Sequence, residues 1–172
     1  MPLRPGRVLK RKKRPWTRVS KSKPRKSYVV GVPHPRIHTF EMGDKNGSFD
    51  STAYLTPKAD VQIRDNALEA ARIVAQNFLE KKLGQTGYYM KVLVYPHNVI
   101  REHSIATGAG ADRFSQGMRL AFGKPVGKSV LVKKGQRVIM LKFNKPSMVT
   151  AKDALRRAGS KIRMGQGIEI VE

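Results

Sequence analysis

Few residues in this chain could carry acid–base, nucleophilic or metal chemistry, and their spacing argues against each use. There is no cysteine, which removes disulfides, thiolate nucleophiles and thiolate zinc sites. His34 and His38 are four apart, but Pro35 lies between them, so they do not occupy successive helical turns as a metal pair would. RNA contact or plain exposure suits them better. His97 and His103 flank a long irregular stretch, where phosphate contact and simple exposure both stay open. Asp60, Asp65 and Glu69 are the polar face and acidic opening of a helix, where the helix dipole favours negative charge. Gly108-Ala109-Gly110 lacks the further glycine and the strand-to-helix setting of a dinucleotide loop. Phosphate-binding P-loops, nucleophile elbows and metal-spaced histidine pairs are missing. The expectation is a protein that is not an enzyme and needs neither cofactor nor metal.

The chemistry that remains is cationic. Lys and Arg number 35 against 12 Asp and Glu, a net charge of +23. A monomer so unbalanced repels itself, and a polyanion relieves the repulsion. Nucleic acid is the polyanion that rewards such charge through counterion release. Arg113, Arg119, Lys124 and Lys128 recur through a glycine-rich segment that also holds Phe114 and Phe122. Glycine lets a phosphate approach the backbone, and Arg forks onto its oxygens. Lys133, Lys134 and Arg137 read as a continuation of that field. The first 36 residues contain 13 Lys or Arg, and the first carboxylate is Glu41. Such a segment cannot offset its own ordering entropy and is expected to order on its partner. Within it Trp16 sits between Arg14 and Arg18, and Tyr28 follows Arg25 and Lys26. These rings can stack on bases, while packing of Trp16 on the domain body is the equal alternative.

The elements that must hold these groups can be read from periodicity. Residues 28–32 and 37–40 are short apolar runs around prolines, and Gly43-Asp44-Lys45-Asn46-Gly47 is a turn. Thr56 as cap, Pro57 at the first position and Gly84 as stop frame a helix over residues 58 to 83, with Ile63, Ala67, Ala70 or Ala71, Val74 and Phe78 on one stripe that Leu68, Ala75 and Leu79 widen. Residues 88 to 95 read as a strand closed by Pro96. Residues 98–128 read as a largely irregular excursion, long enough to be functional. Strands follow at 130–132 and 138–143. Thr150 and Asp153 suggest a capping box for a helix over 151 to 158, ended by Gly159. Short strands at 162–164 and 168–171 close the chain. Strand groups between helices of two lengths give a single α+β domain: a basic N-terminal extension over 1–36 and a core over 37–172 carrying the long loop at 98–128. No stretch approaches the roughly 18 apolar residues of a bilayer span. The basic cluster at residues 10–14 runs into Pro15 and not into an apolar segment, so it does not read as a secretory signal.

The run Phe114-Ser115-Gln116-Gly117-Met118-Arg119-Leu120-Ala121-Phe122-Gly123-Lys124-Pro125-Val126-Gly127 closely resembles the signature of the universal large-subunit ribosomal proteins called sixteen in bacteria and ten-e in archaea and eukaryotes. Arg4-Pro5, Lys23-Pro24-Arg25-Lys26-Ser27-Tyr28, Gly31-Val32-Pro33 and Glu69-Ala70-Ala71-Arg72 are similar to the archaeal and eukaryotic branch, and the resemblance spans nearly the entire chain. It implies an α+β fold related to the alpha/beta-hammerhead, in a cytoplasmic structural constituent of the large subunit. It also implies binding to large-subunit ribosomal RNA near the central protuberance, close to A-site tRNA and the peptidyl transferase centre, among neighbouring ribosomal proteins. 5S ribosomal RNA is a further candidate partner.

On this resemblance the ribosomal-RNA contacts are expected at Arg4, Arg7, Lys10, Arg11, Lys12, Lys13, Arg14, Trp16, Arg18, Lys23, Arg25, Lys26, Tyr28, His34 and Arg36, and at Arg119, Phe122, Gly123, Lys124 and Lys128. The loop over residues 101 to 113 is expected toward the tRNA acceptor end, with Arg101, His103, Ser104, Gly108, Gly110 and Arg113. Three rivals predict other features. A free-standing nucleic-acid binder would act outside any particle. An RNA-modifying enzyme would need a cofactor loop or convergent acid–base groups. A membrane-surface protein would need an apolar helical face in the tail, which the prolines there oppose.

Overall fold

The computed structural model describes residues 29, 31–103, 105–106, 108–119, 121–162 and 165–171. Strict alternation builds its main sheet. In β2 (Ser51–Pro57) Ala53 and Leu55 are fully buried, while Thr52 and Tyr54, which alternate with them, are partly exposed. β1 (Glu41–Gly43), β4 (Tyr88–Val92), β7 (Ile139–Phe143) and β8 (Gln166–Val171) join it in the antiparallel order β1-β4-β7-β2-β8. The register aligns Ala53 with Leu141 and Met90, and Leu55 with Ile139 and Val92. These rows form one hydrophobic face, in which each fully buried Leu or Ile contributes about 1.5–3 kcal/mol. Glu41 lies opposite Lys91 on the other face, and the two form an ion pair at 2.6 Å.

Two helices cover the apolar rows. α1 (Asp65–Leu83) buries Leu68, Ala71, Ala75 and Leu79, and α3 (Met148–Ile162) buries Ala151, Ala154, Leu155, Ala158, Gly159 and Ile162. The small residues along both stripes let the helices approach closely, and they pack on each other more extensively than on any strand. All these residues except Gly159 belong to one hydrophobic cluster with Tyr88, Leu141 and Phe143.

A second sheet leads away from this core. β3 (Val61–Arg64), β5 (Asn98–Glu102) and β6 (Lys124–Val132) pair antiparallel in the order β3-β6-β5. Ile63, Val130 and Val132 are buried in the common cluster, whereas β6 becomes progressively exposed toward Lys124. β5 and β6 therefore form an arm rooted in the core.

Four expectations need correction. The helix expected from 58 starts at Asp65, because Val61 and Ile63 alternate with Gln62 and Arg64 and pair with β6; Thr56 and Pro57 end β2 instead of capping a helix. Gly84 does stop α1, at φ +71°, donating its N–H to Glu80 O at 3.1 Å. The excursion expected over 98–128 is a strand pair around a loop spanning 103–123, with a single turn of helix, α2 (Ala111–Phe114), inside it. Gly159 does not end α3 and Thr150 does not cap it: the helix runs from Met148 to Ile162 with Gly159 buried inside it. Ile162 closes that helix and takes no part in a strand.

Candidate nucleic-acid interface

The arm is shaped by close backbone contact and by a break in its ladder. The β5–β6 register slips between Ile100 and Arg101, where β6 steps from Gly127 to Pro125. Such an irregularity bends and twists the strand and re-aims the side chains beyond it. At Gly123 an added Cβ would sit 2.6 Å from the Glu102 carbonyl carbon and 2.8 Å from His103 N, so only glycine lets the loop return there. His103 Nε2–H donates to Gly117 O at 2.8 Å, tying the two sides of the loop together. Gly110, at φ +75°, turns the chain into α2.

Side chains of two kinds crowd the far end. Phe114, Met118 and Phe122 are 85%, 70% and 65% exposed, with Ile105 and Val126 also open to solvent. The Arg101 guanidinium stacks 3.5 Å over the Phe122 ring, and burial lowers its pKa from the ordinary guanidinium value. Arg113, Arg119 and Lys124 are exposed, and Lys128 is half-buried nearer the root. The loop thus brings Arg101, His103, Gly108, Gly110, Arg113, Arg119, Phe122, Gly123 and Lys124 onto one projecting element. Aromatic faces beside fixed cations can receive unstacked bases, and Arg and Lys can receive phosphates.

The remaining expected residues fall elsewhere. His34 and Arg36 are exposed on the segment leading to β1, and the Arg36 backbone N–H, not its side chain, donates to Asp65 at 3.0 Å. His97 donates its Nδ1–H to Tyr95 O at 3.1 Å. Arg4, Arg7, Lys10, Arg11, Lys12, Lys13, Arg14, Trp16, Arg18, Lys23, Arg25, Lys26, Tyr28 and Ser104 lie outside the described residues. Lys133, Lys134 and Arg137 do not continue the arm's field, because they sit at the opposite end of β6.

The three carboxylates also separate. Asp65 is buried at the start of α1 and accepts N–H groups from Arg36 and Asn66. Asp60 accepts the Lys134 N–H, and Glu69 grips Arg72. Among the described residues no three His, Asp or Glu side chains form a metal-binding group.

Sequence reasoning passed over Met118, Ile105 and Val126, whose exposure has no local signature. It also passed over a buried polar seam at the arm's root, where Gln62 Nε2–H donates to Ser129 Oγ at 2.7 Å and Ser129 O–H to Asn98 O at 3.3 Å. A polar residue at an inward strand position is the one hint, and Asn98 and Ser129 lie directly opposite each other.

Fold and site together define an α+β protein with a cationic, glycine-pinned arm. The family model described as ribosomal protein L16p/L10e matches residues 12–169. The large ribosomal subunit protein uL16 of Archaeoglobus fulgidus is 43% identical over 162 residues, covering 94% of this chain and 89% of the relative. Its namesake in Methanococcus aeolicus is 45% identical over 154 residues, covering 86% and 89%. That of Caldivirga maquilingensis is 41% identical over 174 residues, covering 99% and 95%. The chain belongs to the L16p/L10e family of ribosomal proteins, and its similarity is to archaeal members.

Proposed function

We propose that the protein is a structural constituent of the large ribosomal subunit and works in the cytoplasm as part of that particle. It binds large-subunit ribosomal RNA near the central protuberance and the A-site tRNA and peptidyl transferase region, supporting subunit assembly and tRNA positioning. Ribosomal RNA and neighbouring ribosomal proteins are its partners, with A-site tRNA and 5S ribosomal RNA close by. The observation that carries this reading is the arm, a rooted strand pair whose tip combines exposed Arg113, Arg119 and Lys124 with exposed Phe114 and Phe122.

Mechanistically the protein is a brace. Recognition of folded RNA rests on shape, phosphate and 2′-hydroxyl contacts, so the chain supplies fixed cations at set positions. The basic extension over residues 1–36 fills crevices between RNA helices, where Arg and Lys replace diffuse counterions. The core aims the loop, and Gly123 and His103 hold the loop's two sides in place. The reaction chemistry of the site belongs to RNA.

Ultraviolet crosslinking in intact cells, followed by identification of the attached RNA, tests the proposal. Crosslinks concentrated on large-subunit ribosomal RNA are expected, with the loop near the tRNA path. Crosslinks spread over messenger RNA or DNA, without enrichment on the subunit, would overturn it in favour of a general nucleic-acid binder.

A further inference from the structure

The four sheet edges are not equally protected. β1 ends the main sheet with three residues, and β3 ends the small sheet with four. β5, the other small edge, breaks register between Ile100 and Arg101. Short length and irregularity are the usual means of keeping a foreign strand off an open edge. β8, the second edge of the main sheet, has neither. It pairs with β2 in unbroken register, from Gln166 opposite Pro57 to Val171 opposite Thr52. Residues 166–171 also contain no Lys, Arg or Pro.

The phase of that ladder fixes which backbone groups point outward. Lys58 N–H donates to Gly165 O at 2.8 Å. In the alternation of an antiparallel pair, Gly167, Glu169 and Val171 then exchange their hydrogen bonds with β2. Ile168 and Ile170 therefore turn N–H and C=O away from β2, where the described residues supply no further strand. Their side chains are half-buried at the rim of the hydrophobic core, while Glu169 and Val171 are exposed on the opposite face. The edge also has the wrong sign for RNA. Residues 166–172 hold two of the chain's 12 acids and none of its 35 Lys and Arg. A phosphate backbone accepts from N–H groups but sets charged oxygens against the C=O groups and Glu169. A polypeptide strand offers donors and acceptors alike, at the matching repeat. Repulsion between two chains of +23 each opposes a second copy.

We infer that β8 is the docking edge for an extended, basic segment of a neighbouring protein, which adds a strand to the main sheet. The inference rests on the proposed ribosomal function, which supplies the neighbouring proteins, and it names where and how one of them attaches. The added strand pairs with the outward groups of Ile168 and Ile170 and completes the cover over their side chains. A Lys or Arg of that strand meets Glu169. Arg137 stands 3.9 Å from Glu169 but leaves its side chain about half exposed, so the carboxylate is open to a second cation.

A photocrosslinking amino acid at the exposed Val171 of the full chain, in cells, tests this, with sedimentation of the protein recorded alongside. Crosslinks are expected to a Lys- or Arg-rich segment of one other protein of the large subunit. Crosslinks to RNA, to residues 1–28 of the same chain or to a second copy would each overturn the inference, as would none at all. All four leave the ribosomal function standing while the protein sediments with the large subunit. Its absence from that subunit would overturn the ribosomal function itself. Ile168→Pro removes an outward N–H and spares the ladder to β2, and it should weaken the Val171 crosslink severalfold; an undiminished crosslink would exclude strand addition. Amide exchange needs no variant. The Ile168 and Ile170 N–H groups should exchange about tenfold more slowly in the intact subunit than in the free protein, and equal rates would overturn the inference.

Discussion

The two sheets obey the same antiparallel rules and spend their side chains differently. The five-stranded sheet turns its rows Ala53-Leu141-Met90 and Leu55-Ile139-Val92 against two helices, and these residues are almost wholly removed from water. The three-stranded sheet buries its root, at Ile63, Val99, Val130 and Val132. Beyond the root it keeps Phe114, Met118 and Phe122 in solvent. The first sheet is stabilised from within. The second is shaped by glycine contacts and one cross-loop hydrogen bond, and it leaves its large apolar groups available to something outside the chain.

That contrast can be broken by substitution. Leu141→Ala removes a fully buried side chain at the centre of the main sheet and should cost about 2–5 kcal/mol in denaturant unfolding; a small change would mean that the sheet is not the stability core. Gly43→Ala comes next. Its φ is +85° and an added Cβ would lie 2.1 Å from Tyr88 O, at the edge where β1 meets β4, so a loss of about 1–3 kcal/mol is expected.

In the arm the balance reverses. Replacing both Arg119 and Lys124 with Ala should leave unfolding within about 0.5 kcal/mol of the parent. It should nevertheless weaken incorporation into the large subunit and lower the salt slope for ribosomal RNA by about 2. Normal incorporation of that variant would remove the arm from the binding surface.

The smallest effect concerns alkaline pH. Burial, with the charge of Glu80 adding to it, pushes the Tyr88 phenol from its ordinary value of 10 up to about 12. Stability from keeping this group neutral is therefore intact below pH 10 and lost as pH rises through about 12. An ultraviolet titration should show a tyrosine ionisation step near pH 12, and Tyr88→Phe should remove that late step. A late step that persists in Tyr88→Phe would assign it to another residue.

Much of this architecture was legible because burial writes a period into the sequence. The Ala and Leu stripe of α1, its stop at Gly84 and the alternation of β7 are local signals that tertiary packing reinforces. The start of α1 was not, since Thr56-Pro57 is a good helix opening in isolation and Val61-Gln62-Ile63-Arg64 becomes a strand only because β6, more than sixty residues later, is there to pair with it. The arm was legible as a region of Gly, Arg and Phe, but not as paired strands. Small residues and prolines at 104–111 and 125 hid the alternation on either side. The separation of Lys133, Lys134 and Arg137 from Lys124 was invisible for a simpler reason: charge runs are read along the chain, and a nine-residue strand carries its two ends far apart. The placement of Arg113, Arg119, Phe122 and Lys124 on one element followed from their nearness in sequence, whereas the Arg101 stack on Phe122 needed the β5–β6 ladder.

The strand order of the main sheet has a consequence for the time course of folding. Each of its ladders joins strands that are not consecutive in the chain, and β2 waits for β7, about ninety residues downstream, and for β8 beyond it. Only β5 and β6, in the smaller sheet, are neighbours in both sequence and space. Loop closure over such distances must precede any reward from pairing, so the main sheet is slow to nucleate. During synthesis the cationic opening emerges before the core, and β8, which closes the sheet, emerges after the strands it must join. For an interval set by translation, the apolar rows of the main sheet are still uncovered. A newly made copy therefore passes through a stage in which those uncovered rows are open to aggregation.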